Sequence, residues 1–133
     1  MRRKILIVDD NAELVKLLRL AFRSAGYSVA TAADGIQALK KVKTARPDLI
    51  VLDLVLPHVD GFAVCETLRR CARTAPLPVI MLTGLGSQFA RLAGLESGGT
   101  DFLTKPVSPA ELVRKANALL NSPAAAGAPA GSA

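Results

Sequence analysis

The sequence contains few of the residues that mark metal-binding and disulfide-rich proteins. Tryptophan is absent, aromatic residues make up 4% of the chain, and there is one histidine. The two cysteines, Cys65 and Cys71, have no histidine or further cysteine near them, so they fit neither a zinc spacing nor a disulfide framework. We interpret both as ordinary thiols in a reducing cytoplasm.

Long hydrophobic runs are missing as well. The apolar run Ile5–Val8 follows a basic start, and Asp9 and Asp10 end it directly. Such a run is too short for a membrane-spanning helix or for the apolar region of a signal peptide. We therefore expect no membrane segment and a cytoplasmic location.

The chain does contain enough apolar residues for one globular domain. Its 133 residues are 50% hydrophobic and 21% charged, which excludes a disordered or fibrous protein. With so few aromatic residues, the core must consist of leucine, valine, isoleucine and alanine, a composition that suits parallel sheets covered by helices. Residues 122–133 are only serine, proline, alanine and glycine. We expect a folded domain over 1–121 and a disordered tail or linker over 122–133.

The net charge of +6 leaves two interpretations of the surface open. Many basic residues lie in the segments 2–4, 40–46 and 69–73, with no aromatic residues between them for base stacking. A solvated basic surface and a basic docking face for an acidic partner both fit this pattern. Nucleic acid is not an expected partner of this chain.

Short apolar runs alternate with helical patterns along the chain. Three of the runs are apolar at consecutive positions, which indicates strands that are buried on both faces of a parallel sheet. The predicted strands are Ile5–Val8, Tyr27–Ala30, Leu49–Leu52, Val79–Leu82 and, more weakly, Asp101–Leu103. Five strand–helix units predict an α/β fold, an open five-stranded parallel sheet with helices on both faces.

The predicted helices begin and end at residues that commonly cap helices. Gly26 stops the first, Asp34 caps the second, and Ser108 begins a capping box before the fifth. The fourth is poorly specified, because glycines flank and interrupt it. The five helices are predicted over residues 14–25, 34–45, 61–71, 87–97 and 108–120.

Polar side chains follow four of the predicted strands. They are Asp9, Asp10, Asp53, Thr83 and Lys105. Because ligands bind at the carboxyl ends of the strands in such sheets, we expect these side chains to converge there. Three neighbouring carboxylates repel one another unless a cation lies among them, and a site of few carboxylates suits Mg²⁺. The sequence therefore predicts Mg²⁺ as a cofactor.

The remaining groups at these strand ends fit phosphoryl chemistry. Lys105 offers a positive charge and Thr83 a hydroxyl donor for phosphate oxygens, and the Asp53 carboxylate is a candidate nucleophile on phosphorus. Phosphoryl transfer mainly requires alignment and neutralisation of charge, which a metal ion and one lysine supply. These three residues form the predicted catalytic set, and the product would be an acyl phosphate on Asp53.

Four motifs in order resemble the receiver domains of bacterial two-component response regulators, single-domain chemotaxis-type regulators included. The segments Lys4–Asp10, Asp48–Gly61, Pro78–Gly84 and Gly98–Pro106 match the acidic pair, the phospho-acceptor segment, and the fourth and fifth strand motifs of that family. The resemblance covers residues 4 to about 120. It implies a doubly wound, flavodoxin-like fold with strand order 2-1-3-4-5.

The resemblance also implies partners and metal ligands. Asp53 would accept a phosphoryl group from a histidine kinase or a phosphotransfer protein. Asp10 and Asp53 would ligate Mg²⁺ directly, with the backbone carbonyl of Val55 as a third protein ligand, and Asp9 would act largely through water. The output would be binding to a downstream protein that the sequence does not name, and a phosphorylation-dependent dimer is a further expectation.

The family's switch residues have counterparts here too. Thr83 and Lys105 are implied to hold the phosphoryl oxygens, with a cis peptide bond between Lys105 and Pro106. Phe102 occupies the position of the aromatic residue that, with the threonine, changes the face formed by the fourth helix, fifth strand and fifth helix. Phe102 could also be an ordinary aromatic residue of the sheet.

Two other interpretations of the acidic cluster compete with a signalling switch. A Mg²⁺-dependent phosphohydrolase with Asp53 as its nucleophile would need an acid–base carboxylate two residues later, where Val55 stands. An inactive receiver would be expected to lack an acidic residue or the lysine, and all are present. We therefore expect self-phosphorylation and slow autodephosphorylation, with no enzyme activity on other substrates.

Overall fold

Strands and helices alternate through the part of the chain that the computed structural model describes, residues 2–84, 93 and 96–121. The strands are β1 (Lys4–Val8), β2 (Ser28–Ala32), β3 (Leu49–Asp53), β4 (Val79–Thr83) and β5 (Asp101–Thr104). The helices are α1 (Ala12–Ser24), α2 (Gly35–Ala45), α3 (Gly61–Arg70) and, after β5, the last helix (Pro109–Asn121).

The five strands are parallel and form one sheet in the order β2-β1-β3-β4-β5. This order confirms the predicted doubly wound α/β fold. Because β1 lies between β2 and β3, the strand order reverses there, and the carboxyl ends of β1 and β3 border the crevice where such folds bind ligands. In register, Val8 of β1 pairs with Leu52 of β3, so Asp9 and Asp53 follow side by side.

Side-chain caps fix the starts of the first three helices. Asn11, Asp34 and Asp60 each accept backbone N–H groups from the first turn of α1, α2 and α3. These bonds satisfy donors that have no acceptor inside the helix. The predicted cap at Asp34 is confirmed. All three caps belong to loops that follow strands, so they also order the carboxyl edge of the sheet.

Helices cover both faces of the sheet. On the face beneath α2 and α3, Leu6 and Met81 are fully buried; on the face beneath α1 and the last helix, Ile7 and Leu82 are fully buried. Successive residues of a strand point to opposite faces, so a strand covered on both sides needs apolar residues in unbroken runs. The interpretation of the consecutive apolar runs is therefore confirmed.

The second strand is displaced from its predicted position. It covers Ser28–Ala32 rather than Tyr27–Ala30, because Tyr27 packs into the core instead of joining the strand. The ring of Tyr27 meets the ring of Phe22 edge-on at 5.7 Å between centroids, and its hydroxyl donates a hydrogen bond to the side chain of Asn117. Tyr27 thereby links β2 to α1 and to the last helix.

The third predicted helix is confirmed over Gly61–Arg70, and Cys71 is the residue that ends it. The predicted fourth helix, 87–97, lies largely outside the described residues, and so does the predicted tail, 122–133. Among the helices of the described residues, none combines the length and the apolar character needed to cross a bilayer.

Candidate functional site

The side chains predicted to converge lie at the carboxyl edge of the sheet, and they come from four different strand ends. They are Asp9, Asp10, Asp53, Thr83 and Lys105. The loop after β5 is anchored at this edge, because the backbone N–H of Lys105 donates to the carbonyl oxygen of Thr83 at 2.8 Å. The peptide bond between Lys105 and Pro106 is cis, as the family resemblance implied.

Three carboxylates form the centre of this edge. Asp9 and Asp53 are almost fully buried, with 2% and 4% of their surface exposed, whereas Asp10 is exposed. Each of the three offers one oxygen, and these oxygens all lie within 4.8 Å of one another. Negative charges this close to one another repel, which favours either a positive charge among them or protonation of one carboxyl group.

Lys105 supplies one positive charge to the cluster. Its Nζ lies 3.1 Å from Oδ2 of Asp53, to which it donates a hydrogen bond, and 3.1 Å from Oδ2 of Asp9. The second contact is an ion pair without hydrogen-bond alignment, so Oδ2 of Asp9 is a buried oxygen that has no hydrogen-bond donor among the described residues. One ammonium group therefore serves two buried carboxylates.

Burial and charge shift the pKa values of the central pair. Burial raises the pKa of the Asp53 carboxyl above its usual range. Hydrogen bonds from Lys105 and from the backbone N–H of Val55, which lies 3.1 Å from Oδ1, lower that pKa but do not outweigh burial. Burial alone would lower the pKa of Lys105, but the hydrogen bond to Asp53 and the negative charges of Asp53 and Asp9 outweigh it and raise that pKa. The lysine is thus held in its charged form, and an added cation would favour ionised Asp53.

This donor set fits a divalent cation. The available groups are hard carboxylate oxygens within 4.8 Å of one another, and the described residues offer no hydrogen-bond donor to one buried oxygen, Oδ2 of Asp9. Val55, predicted to contribute its backbone carbonyl, lies in the loop that follows Asp53, and 65% of its surface is exposed. Which of these groups contact an ion directly stays a prediction.

The predicted switch residues, Thr83 and Phe102, are both buried, with 2% and 6% of their surface exposed. Thr83 ends β4 beside the strand that carries Asp53. Phe102 packs into the core beneath α2 and α3. A buried position suits both a switching aromatic and an ordinary sheet aromatic, so the role of Phe102 stays a prediction.

A residue outside the predicted set, Gly61, lets the start of α3 pack closely against the backbone of Asp53. Gly61 begins α3, and a Cβ atom there would lie 2.4 Å from the carbonyl oxygen of Asp53 and 2.7 Å from Cα of Leu54. Because both neighbours are backbone atoms, only glycine lets α3 begin so close to Asp53. The signal in the sequence is the glycine that follows the capping residue Asp60, although it does not reveal what the glycine contacts.

Sequence comparisons identify the family. A family model of the response regulator receiver domain matches residues 5–117. The alkaline phosphatase synthesis transcriptional regulatory protein PhoP of Bacillus subtilis (strain 168) is 46% identical over 120 residues, which cover 90% of this chain and 49% of PhoP. The chain thus spans about half the length of the curated relatives it matches.

Solved structures agree with the sequence comparisons. A proposed response regulator from Chloroflexus aurantiacus has a TM-score of 0.87 and 38% identity, and the match covers 92% of this chain and 100% of that protein. The receiver domain of the sensor histidine kinase PA1611 from Pseudomonas aeruginosa PAO1 has a TM-score of 0.84 and 34% identity, covers 92% of this chain and 100% of its own, and holds a magnesium ion in its active-site cleft. The chain therefore belongs to the response regulator receiver domains of two-component systems.

Proposed function

We propose that this receiver domain is a phosphorylation-controlled signalling switch whose phosphoryl acceptor is Asp53. The observation that carries the proposal is the pairing of a buried carboxylate with an ammonium group at the ligand-binding edge. Asp53 is 4% exposed, and its Oδ2 lies 3.1 Å from Nζ of Lys105. Family membership supports the same function, since receiver domains act with histidine kinases and downstream effectors.

In the proposed reaction, a carboxylate oxygen of Asp53 attacks the phosphorus atom of a phosphohistidine on a histidine kinase or a phosphotransfer protein. An oxygen–phosphorus bond forms, the nitrogen–phosphorus bond breaks, and the histidine nitrogen keeps the electron pair. Lys105 would pair with a phosphoryl oxygen, and the Thr83 hydroxyl would donate to another. Lys105 would neutralise part of the negative charge that the phosphoryl group brings into a buried site, and the Thr83 hydroxyl would stabilise it by a hydrogen bond.

We propose Mg²⁺ as the cofactor of this reaction. Asp10, Asp53 and the backbone carbonyl of Val55 would hold it directly, and Asp9 would act largely through water. When bound, it would offset the charges of the phosphoryl oxygens and the clustered carboxylates. The carboxylate oxygens within 4.8 Å of one another support this assignment, and so does the magnesium ion in the cleft of the PA1611 receiver domain.

The output in this proposal is a change in partner binding. Thr83 would move toward the phosphoryl group, and the inward packing of Phe102 would stabilise that arrangement at the face of β5 and the last helix. The partners would be the phosphoryl donor, a downstream protein and, after phosphorylation, a second copy of the chain. The protein's own chemistry would be limited to self-phosphorylation and slow autodephosphorylation.

Incubation with acetyl phosphate and Mg²⁺ is expected to add one phosphoryl group to the wild-type chain, detected by intact mass. Asp53→Asn should remain at its starting mass, because an amide oxygen is a poor nucleophile and forms no stable acyl phosphate. A chelator should also prevent the gain in wild type, since the charge of the carboxylate cluster would then repel the phosphate.

Asp34→Asn provides the matched control for this experiment. It makes the same carboxylate-to-amide change at a helix cap outside the cluster, and asparagine caps a helix as well as aspartate does. It should be phosphorylated like wild type. A phosphoryl gain that persists in Asp53→Asn, or that persists without metal, would contradict the proposed acceptor or the proposed cofactor.

Mg²⁺ is also expected to stabilise the folded protein. An ion that binds only the native state at ten times its Kd adds about 1.4 kcal/mol to the free energy of unfolding, a rise of about 5 °C in melting temperature. Asp10→Asn should lose most of this increase, because it removes an exposed carboxylate oxygen from the cluster. In chelator, the same variant should melt above wild type, since one source of charge repulsion is gone.

Thermal melts of wild type, Asp10→Asn and Asp34→Asn in Mg²⁺ and in chelator measure these differences. Asp34→Asn should respond to Mg²⁺ as wild type does. Equal Mg²⁺ responses in all three proteins would mean that the ion acts elsewhere on the chain, and the assignment of the cluster would then be wrong.

A further inference from the structure

A groove lies between α2 and α3 at the end of the sheet opposite the carboxylate cluster. Its volume is about 510 Å³, within the range of small-molecule pockets. The C-terminal halves of α2 and α3 line it, together with the segments that lead into β3 and β4. The cluster lies at the other ends of these strands, so about the length of a five-residue strand, roughly 15 Å, separates the two sites.

The floor of this groove is apolar. Leu39, Val42, Leu68 and Leu77 line it. These four side chains belong to, or pack against, the core beneath α2 and α3, so their positions are fixed by the fold. An apolar group placed in the groove would therefore leave water and extend an existing core.

The rim of the groove is positively charged. Lys43, Arg46 and Arg73 line it, and all three are exposed, while no acidic side chain of the described residues lines it. Within the described residues, none of these three side chains forms an ion pair or a hydrogen bond. Two of the basic segments seen in the sequence, 40–46 and 69–73, thus meet around one groove.

Interaction with helix dipoles does not account for all three basic residues of the rim. Lys43 lies in the last turn of α2, where a positive charge also complements the helix dipole. Arg46 and Arg73, however, lie beyond the ends of α2 and α3. Arg46 has a left-handed backbone (φ 50°, ψ 63°) at a position where glycine is the usual residue. The rim therefore gains an arginine where the backbone conformation favours glycine.

We propose that this groove binds a small anionic amphiphile, an aliphatic or aromatic molecule with a carboxylate or sulfonate group. Its apolar part would lie on the leucine and valine floor, and Lys43, Arg46 and Arg73 would bind its anionic group. The volume of the groove accommodates an apolar body of this size, and three cations that form no ion pair within the described residues complement an anion. The proposal does not depend on phosphorylation of Asp53.

Cys71 provides a reporter inside the groove. It is exposed and lines the groove, whereas Cys65 is buried. The backbone N–H of Arg73 lowers the pKa of the Cys71 thiol, while burial raises the pKa of Cys65. A thiol reagent should therefore modify Cys71 first, and a molecule that occupies the groove should slow that reaction.

The test measures the rate of Cys71 alkylation by iodoacetamide, followed by mass, as naphthalene-1-acetate is added. Saturating probe is expected to slow the reaction of wild type at least threefold, and Lys43→Glu/Arg73→Glu should lose this protection. The matched control is Lys41→Glu/Arg70→Glu, which makes the same charge change at exposed residues of α2 and α3 that do not line the groove. It should keep the protection. Each variant is compared with itself without probe.

The neutral probe naphthalene-1-acetamide separates charge from hydrophobicity. It should require at least a tenfold higher concentration than the acid for the same protection. Three results would overturn the proposal. They are equal protection of Cys71 by both probes, an equal loss of protection in both double variants, and no protection in wild type. Inorganic phosphate that protects as well as the acid would identify a simple anion site instead. An acidic, leucine-containing peptide that protects at lower concentrations than the acid would assign the groove to a protein partner.

Circular dichroism and thermal melts establish that the variants are folded. If Lys43→Glu/Arg73→Glu fails this check, Arg73→Gln replaces it, because it removes one rim charge and keeps most of the side chain. Its expected effect is a higher probe concentration for half-maximal protection, by about threefold or more. Unchanged half-maximal protection in Arg73→Gln would overturn the role of the rim.

Discussion

Gly61→Ala is expected to lower the free energy of unfolding by about 3 kcal/mol and to slow phosphorylation of Asp53. The new Cβ atom would lie 2.4 Å from the carbonyl oxygen of Asp53 and 2.7 Å from Cα of Leu54. Neither atom belongs to a flexible side chain, so either α3 or the end of β3 must shift. Because Asp53 ends β3, such a shift displaces the proposed acceptor relative to Lys105.

Gly84→Ala is the control for this substitution. A Cβ atom at Gly84 would meet none of the described residues within 4 Å, and the backbone there is not left-handed. Its free energy of unfolding should therefore change by less than about 1 kcal/mol. Urea unfolding measures both variants, and intact mass after acetyl phosphate treatment measures the acceptor. Equal losses of stability in the two variants would contradict steric crowding at Gly61.

The sequence was sufficient to predict the sheet and its polar edge. Unbroken apolar runs such as Leu49–Leu52 occur where helices cover both faces of a strand, and polar residues that end such runs lie at the ligand-binding edge. These two patterns are sufficient to place Asp53 and Thr83 at the ligand-binding edge of the sheet. Strand order came from the family resemblance, since periodicity does not determine which strands are neighbours.

The close contacts around the site could not be predicted in this way. Gly61 looked like the first residue of a helix, and its contact with the Asp53 carbonyl appears only when α3 is packed against β3. Tyr27 looked like a strand residue, but its large ring packs against Phe22 instead. Both differences arise from packing between different elements, which the periodicity within one element does not encode.

Arg69 is the clearest case of a role hidden from the sequence. In the sequence, Arg69 belongs to the basic segment 69–73, which fits either a solvated surface or a docking face. In the structure, its Nε donates to the carbonyl of Gly98 at 2.9 Å, and its Nη1 donates to the carbonyls of Leu77 at 2.7 Å and Ala75 at 3.0 Å. It thereby ties the end of α3 to the segments that lead into β4 and β5.

The packing around Arg69 adds to these hydrogen bonds. Gly98 has a φ of +103°, and a Cβ atom there would lie 2.5 Å from Cγ of Arg69, so the arginine stem passes directly beneath that turn. The guanidinium group also reaches the Thr100 hydroxyl at 3.4 Å, and that hydroxyl accepts the N–H of Val79 at the start of β4. One side chain thus supports the entry of two neighbouring strands.

Arg69→Ala is accordingly expected to lower the free energy of unfolding by about 3 kcal/mol and the melting temperature by about 10 °C. A hydrogen bond from a charged group contributes roughly 1.5–3 kcal/mol, and the half-buried carbonyls would lose a donor that water replaces only in part. Arg69→Lys should recover less than half of the loss, because one ammonium group cannot reproduce the divergent donors of a guanidinium.

Arg70→Ala is the matched control, since Arg70 is the exposed neighbour of Arg69 on the same helix. Its effect should stay within about 0.5 kcal/mol, as for most surface substitutions. Urea unfolding of the three variants separates a structural arginine from a surface charge. If Arg69→Ala and Arg70→Ala were equally stable, the hydrogen bonds would contribute nothing and Arg69 would belong with the solvated basic residues. A large loss in Arg69→Ala alone would instead mean that the entries to β4 and β5 depend on a single side chain of α3.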